Sequence, residues 1–175
     1  MLNEPDTSTT CTANRHSGSP QTSGTCHFHR PPQEGAGYLE LAEFLTNHGS
    51  ESRNDLAELW RRIVFNIAVS NVDDHLRNHG FLFDGKGWRL SPAYDINPTA
   101  VANGLHLNID DKSNSLSYEL AFEVIEFFQL SREVAEDIFV KVLASVGQWR
   151  EVADLIGISR TEQEIMRPAF NIDHK

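Results

Sequence analysis

The sequence has few cysteines, a shortage of basic residues and no long apolar run, and each shortage excludes a class of protein. Only Cys11 and Cys26 occur among 175 residues, too few for a disulfide framework to hold a chain of this length. Lys and Arg number 15 against 25 Asp and Glu, so the formal net charge is −10, which repels nucleic-acid backbones and anionic membranes. No apolar stretch approaches the ~18 residues of a spanning helix, and the N-terminus lacks the basic start of a secretory signal. We therefore expect one cytoplasmic globular domain with no direct nucleic-acid or membrane contact.

Residues 1–34 differ in composition from the rest of the chain. Ser, Thr, Pro and Gly supply 16 of these 34 positions, and the apolar residues among them follow no period. This composition predicts a disordered tail, followed by a single domain over residues 35–175 that carries −9 of the net charge. The tail also holds the two cysteines and three histidines, but the paired spacings of a zinc site are missing.

Apolar residues recur at helical spacing through most of the remaining chain. The pattern predicts a short helix that starts near Tyr38 and stops before Gly49, and then a buried helix capped by Ser52 or Asn54 and ending at Ser70. Further helices are expected from about residue 118 to Gly147, with Ser131 as a cap in this stretch, and over 149–156. A last one runs from a capping box at 159–162 to about residue 170. The predicted fold class is therefore mostly α.

A dense polar loop at 71–80 follows the buried helix and precedes two short apolar segments. These segments, 81–83 and 88–90, are separated by the turn sequence DGKG and predict one small β-hairpin. Pro92 ends the second strand, and Asp95 follows shortly after it. An acidic side chain thus lies just beyond the hairpin, close in sequence to the polar loop.

The polar loop contains Asp73 and Asn78 five residues apart, which is the spacing of the catalytic loop in protein kinases. Phosphoryl transfer needs one carboxylate that faces the acceptor hydroxyl and a separate oxygen ligand that faces the nucleotide phosphates. In that loop the asparagine, here Asn78, holds a magnesium ion. Asp95 is the candidate for the second magnesium ligand. The competing structural interpretation makes Asp73 and Asn78 loop residues and Asp95 a turn residue before Pro98.

Two other functional interpretations compete with the kinase hypothesis. His75 and His79, together with Asp74, have one spacing found in zinc hydrolases, but Leu76 stands where the glutamate of that motif belongs. Residues 153–166 imitate a helix-turn-helix, but the second helix carries Glu162 and an acidic domain would meet phosphates with the wrong sign. Ordinary helix packing is the better interpretation of that segment.

Two stretches give the sequence a specific resemblance. FNIAVSNVDDHLRNHGF at 65–81 and LSPAYDINP at 90–98 resemble the C-terminal lobe of the HipA-like serine/threonine kinases, the toxins of bacterial type II toxin–antitoxin pairs. The resemblance extends over about residues 38–170. It implies the helical C-terminal lobe of a protein-kinase-like fold, with the small hairpin after the catalytic loop.

The resemblance also implies roles, cofactors and partners. Asp73 is implied as the catalytic acid, His75 as a loop-positioning residue, and Asn78 and Asp95 as Mg²⁺ ligands in a site that binds ATP. The implied partners are a protein substrate that accepts phosphate on a hydroxyl and a HipB-like DNA-binding antitoxin.

The nucleotide-binding lobe of the family has no counterpart in the sequence. No glycine-rich loop precedes the motif, and the first lysine is Lys86. We therefore expect a truncated kinase fragment that binds ATP weakly and is inactive alone. The alternative is a non-catalytic module that binds an antitoxin or an intact kinase.

Overall fold

The computed structural model describes residues 25–27 and 37–172. Six α-helices lie in this part of the chain, and they account for most of its regular structure. In chain order they are α1 (Tyr38–His48), α2 (Ser52–Ala68), α3 (Tyr118–Glu123), α4 (Arg132–Gly147), α5 (Trp149–Leu155) and α6 (Arg160–Met166). The mostly helical fold class predicted from apolar periodicity is confirmed.

Helix α2 is the centre of the domain. It packs against α1, α3 and α4, and against a 3-10 helix at Ile125–Phe128. The side chain of Trp60 is fully buried, and its indole Nε1–H donates to the Ala121 carbonyl of α3 over 2.9 Å. Because an apolar stripe covers a wide face of α2, the helix can contact several neighbours at once and hold the residues that follow it in place.

Serine caps explain where three of the later helices begin. Ser117 accepts from the backbone N–H of Leu120, Ser131 accepts from that of Val134, and Ser159 forms the predicted capping box with Glu162. The predicted cap of α2 is wrong, since Glu51 precedes the helix and the Ser52 hydroxyl donates to Leu45 O at the end of α1. This bond joins the two helices across their short connection.

The last helix is shorter than predicted. Helix α6 ends at Met166, and Arg167–Ala169 continues as a 3-10 helix. Pro168 lies in this segment and has no backbone N–H to donate, so the α-helical bonding pattern cannot continue through it.

The predicted hairpin is present, and a third strand joins it. Strands β2 (Gly80–Phe83) and β3 (Trp88–Leu90) pair antiparallel, and β1 (Thr25–His27) pairs antiparallel with the other edge of β2. Disorder over 1–34 is therefore wrong for Thr25–His27, because the edge of β2 offers these residues backbone hydrogen bonds that no local pattern reveals. The other residues of the predicted tail lie outside the described part, and the boundary at residue 35 stays a prediction.

The turn of the hairpin depends on Asp84. Its carboxylate accepts from the backbone N–H groups of Lys86 and Gly87 and from the Ser50 hydroxyl at 2.6 Å. These bonds, of which the one from Ser50 has the largest effect, lower the pKa of Asp84 to about 2. Gly85 adopts a φ of +89°, which a side chain would disfavour. The turn thus fixes the direction in which β3 returns along β2, toward the polar loop.

Within the described residues, no helix is both long enough and apolar enough to cross a membrane.

Candidate active site

The polar loop predicted at 71–80 leaves the C-terminus of α2 and enters β2. Ser70 has a φ of +50°, which breaks the helical path, and the backbone N–H of Asn71 still donates to Asn66 O over 2.8 Å. A single 3-10 turn, Leu76–Asn78, precedes β2. The loop is therefore short and bonded at both ends, which suits the precise placement of reacting groups.

Asp73 and His75 form one pair at the surface of this loop. The Asp73 carboxylate is 67% exposed, and its Oδ1 lies 2.7 Å from Nε2 of His75. Most of the His75 ring is covered, and the ring of His106 packs edge-on against it. Burial and the nearby His75 and Arg77 lower the pKa of His106. The structure thus presents a solvent-accessible carboxylate whose orientation is held by a packed imidazole.

Asn78 connects the loop to Asp95. Its Nδ2 donates to the backbone carbonyl of Asp73 at 3.1 Å and lies 3.5 Å from Oδ2 of Asp95. Asp95 adopts a φ of +56°, an uncommon conformation that Asp tolerates better than most residues. Nδ2 of Asn97 donates to its other carboxylate oxygen at 3.0 Å. Asn78 and Asp95, which are 17 residues apart in sequence, are therefore brought together by the hairpin between them.

Tyr94 holds the Asp95 segment against the loop. Its hydroxyl donates to the carbonyl of Arg77 over 2.6 Å. Partial burial raises the pKa of this phenol, so the proton needed for the bond is retained. This contact was not anticipated from the sequence.

A buried polar network anchors the loop from below. The carboxylate of Asp74 accepts from the hydroxyl of Tyr38, from Nδ2 of Asn66 at 2.9 Å and from Nε2 of His79 at 3.1 Å. All four side chains are buried, and Nδ2 of Asn71 donates to Oδ1 of Asn66 at 3.1 Å. Burial first, and then the Asp74 charge, raises the pKa of Tyr38 well above its ordinary value. Asp73 and Asp74 are adjacent, yet one faces solvent and the other fastens the loop to α1 and α2.

This network was not predicted from the sequence as a structural unit. Asn66 could have indicated the network, because it is a polar residue within the apolar stripe of α2 and a buried amide needs hydrogen-bond partners. Asp74 and His79 were instead weighed as zinc ligands with His75. In the structure they bond to each other inside the core, whereas His75 pairs with Asp73. Within residues 25–27 and 37–172, no group of three or more His, Cys, Asp or Glu side chains is placed to hold a metal ion.

The pair Asn78 and Asp95 fits magnesium better than zinc. Both side chains carry the hard oxygen atoms that Mg²⁺ prefers, and the Asp95 side chain is exposed. Nδ2 of Asn78 faces Asp95 in this structure, so Asn78 would hold the ion after its amide turns the oxygen toward it. Magnesium in nucleotide sites is completed by water and phosphate oxygens, so one carboxylate and one amide are a sufficient protein contribution.

The sequence is similar to that of known proteins. The protein-family model described as HipA-like C-terminal domain matches residues 13–150. "Putative kinase Y4mE" from Sinorhizobium fredii is 28% identical over 67 residues, which cover 38% of this chain and 16% of that protein.

The fold is also similar to a solved structure. A chain in the toxin–antitoxin complex of HipA, HipB and operator DNA from Shewanella oneidensis MR-1 superposes with a TM-score of 0.61 at 16% identity. The match covers 78% of this chain and 34% of the solved one. The chain thus spans about a third of the solved chain and about a sixth of the curated relative. Since the family match extends over most of the sequence, the chain belongs to the family of HipA-like C-terminal domains.

Proposed function

We propose that the domain supplies the phosphoryl-transfer half of an ATP- and Mg²⁺-dependent serine/threonine kinase site. The observation that carries this proposal is the meeting of Asp73, Asn78 and Asp95, with Asn78 within 3.5 Å of both the Asp73 carbonyl and the Asp95 carboxylate. Kinase catalysis consists largely of positioning and charge stabilisation, and these three side chains are the types it uses.

Each residue has a defined task in this proposal. The exposed carboxylate of Asp73 orients the acceptor hydroxyl and takes its proton, and His75 is a positioning residue that holds this carboxylate. Asn78 and Asp95 would hold Mg²⁺, which neutralises charge on the phosphates of ATP when both are bound. Tyr94 keeps the Asp95 segment against the loop through its bond to Arg77 O.

Metal binding tests the proposal without requiring turnover. We expect Mn²⁺, a paramagnetic substitute for Mg²⁺, to broaden the amide NMR signals of residues 73–80 and 94–97 before all others. Asp95→Asn removes the carboxylate of the proposed ligand pair Asn78 and Asp95, so the apparent affinity for Mn²⁺ should fall at least about tenfold. Asp111→Asn, the same change at another exposed aspartate, should leave the broadening pattern unchanged. Equal broadening in Asp95→Asn and the wild type would contradict the assignment.

A second candidate function is binding of a HipB-like antitoxin. It is favoured by the structural similarity to the complex that contains HipA, HipB and operator DNA. The acidic charge of this chain leaves contact with DNA to such a basic partner. A HipB-like protein from the same genome should co-elute with the chain in gel filtration at about 10 μM, and Asp73→Asn should co-elute equally. Separate elution of the two wild-type proteins would contradict this candidate.

A further inference from the structure

An apolar groove lies between the C-terminal part of α4, α5 and α6. Its volume is about 690 Å³, and it shares no lining residue with the polar loop 71–80 or with Asp95. The main apolar residues that line it are Phe65, Val146, Trp149, Ile156, Ile165 and Phe170. Ile156 is 67% exposed and Ile165 is 64% exposed. Contiguous exposed apolar surface of this kind marks an interaction site more often than scattered single residues do.

Side-chain contacts fix the shape of the groove. The rings of Trp149 and Phe170 stack with centroids 4.1 Å apart and planes 8° from parallel. Gln163 is buried, and its Nε2 donates to Oδ1 of Asp154 at 2.7 Å and to Ile158 O at 2.9 Å. These contacts fix α5 relative to α6, so a ligand would find the groove already formed.

A negative charge beside the groove favours a ligand that carries a positive charge. Among the described residues, Glu162 is the single ionisable one that lines it. The hydroxyl and backbone N–H of Ser159 lower the pKa of Glu162, so the side chain stays anionic at neutral pH.

The arginines near the groove already have carboxylate partners. Arg150 lies 2.8 Å and Arg167 lies 3.2 Å from carboxylate oxygens of Glu164, and Arg160 lies 2.8 Å from Asp154. The groove thus combines an apolar floor with negative charge, in a chain whose net charge is −10.

The residues of this sequence outside the described part show no pattern of an amphipathic helix that could fill the groove. Residues 173–175 are Asp, His and Lys, without an apolar side chain, and the apolar residues of 1–24 and 28–36 follow no helical period. A second copy would bring the same acidic charge to the interface and be repelled. A strand gains affinity from exposed sheet edges, whereas a groove between helices suits a helix that has satisfied its own backbone hydrogen bonds.

We propose that this groove binds an amphipathic helix of another protein, with apolar side chains against Trp149, Ile156 and Ile165 and a Lys or Arg beside Glu162. Such a helix presents apolar anchors at i, i+3, i+4 and i+7. The cation beside Glu162 selects the partner and sets the orientation of the helix.

Fluorescence anisotropy with two labelled peptides tests the proposal on the full chain. The first peptide is a helix of about 15 residues with leucines at i, i+3, i+4 and i+7 and lysines at one end, and in the second the lysines become glutamates. We expect the lysine peptide to bind at least about tenfold more tightly, with an affinity that falls as salt rises. Failure of the lysine peptide to bind below about 1 mM would overturn the proposal.

Three substitutions localise the binding. Ile165→Asp should weaken binding of the lysine peptide at least about tenfold. Val140→Asp, the control change at a 62% exposed valine outside the groove, should leave that binding unchanged. Glu162→Gln keeps a residue type that the capping box accepts and should remove most of the preference for lysine. Equal effects of Ile165→Asp and Val140→Asp would overturn the proposal. So would a wild-type dimer that Ile165→Asp dissociates, because a second copy would then occupy the groove.

Discussion

Replacing Asp74 with alanine should lower the free energy of unfolding by about 3–5 kcal/mol, a large share of the stability of a small domain. The substitution leaves the Tyr38 hydroxyl, the Asn66 amide and Nε2 of His79 without their common acceptor. Buried donors that lose a partner cost about 1–3 kcal/mol each, and neighbouring losses do not add fully. Urea denaturation followed by circular dichroism measures the change.

The adjacent residue supplies the matched control for this prediction. Asp73→Ala removes a carboxylate that is 67% exposed, so its effect on unfolding should stay within about 0.5 kcal/mol. Asp74→Asn keeps one acceptor oxygen, so its loss of unfolding free energy should lie between those of the two alanine variants. This variant replaces Asp74→Ala in the measurement if Asp74→Ala does not fold. Equal destabilisation by Asp73→Ala and Asp74→Ala would contradict the anchoring role of Asp74.

Phosphate transfer should fall at least about a hundredfold in Asp73→Asn, because asparagine cannot take the proton of the acceptor hydroxyl. The measurement is protein-bound label after incubation with Mg²⁺ and γ-labelled ATP. It is made with the chain alone and with the chain mixed with a protein that supplies the nucleotide-binding lobe. Because Asp73 is exposed, the variant should unfold at the same urea concentration as the wild type, which separates loss of chemistry from loss of fold.

Asp111→Asn is the control for this experiment, since it removes an exposed aspartate outside the candidate site. It should transfer phosphate as the wild type does. Transfer by Asp73→Asn at the wild-type rate would show that Asp73 is not the catalytic residue. No transfer by the wild type, either alone or with the protein that supplies the nucleotide-binding lobe, would contradict kinase activity for this chain. It would favour the alternative of a non-catalytic module that binds an antitoxin.

Most of the secondary structure could be predicted from local chemistry. Apolar periodicity located the helices, Ser131 and Ser159 marked where two of them begin, and the sequence DGKG separated the strands of the hairpin. Strand β1 could not be predicted, because Thr25–His27 is extended through pairing with β2 and not through its own apolar pattern. Pro168 could have indicated the 3-10 ending after Met166, but the helix was predicted to continue to about residue 170.

The candidate site was predicted in part. The spacing of Asp73 and Asn78 and the position of Asp95 identified three residues that lie close together, since Asn78 Nδ2 donates to the backbone carbonyl of Asp73 and lies 3.5 Å from the Asp95 carboxylate. Their roles in catalysis and metal binding stay predictions. Asp74 and His79 were considered only as zinc ligands, an interpretation that Leu76 disfavoured, and their structural role was missed because sequence spacing does not reveal which of two adjacent carboxylates points into the core.

The sequence by itself determined the family, the mostly helical fold and the residue types of the phosphoryl-transfer loop, since these depend on local periodicity and motif spacing. Only the tertiary structure decided which aspartate is exposed and which is buried, because that depends on α1 delivering Tyr38 and α2 delivering Asn66 to one point. It also decided that α4, α5 and α6 enclose an apolar groove beside Glu162. Contacts between residues distant in sequence are set by the packing of whole elements, and no local pattern encodes them.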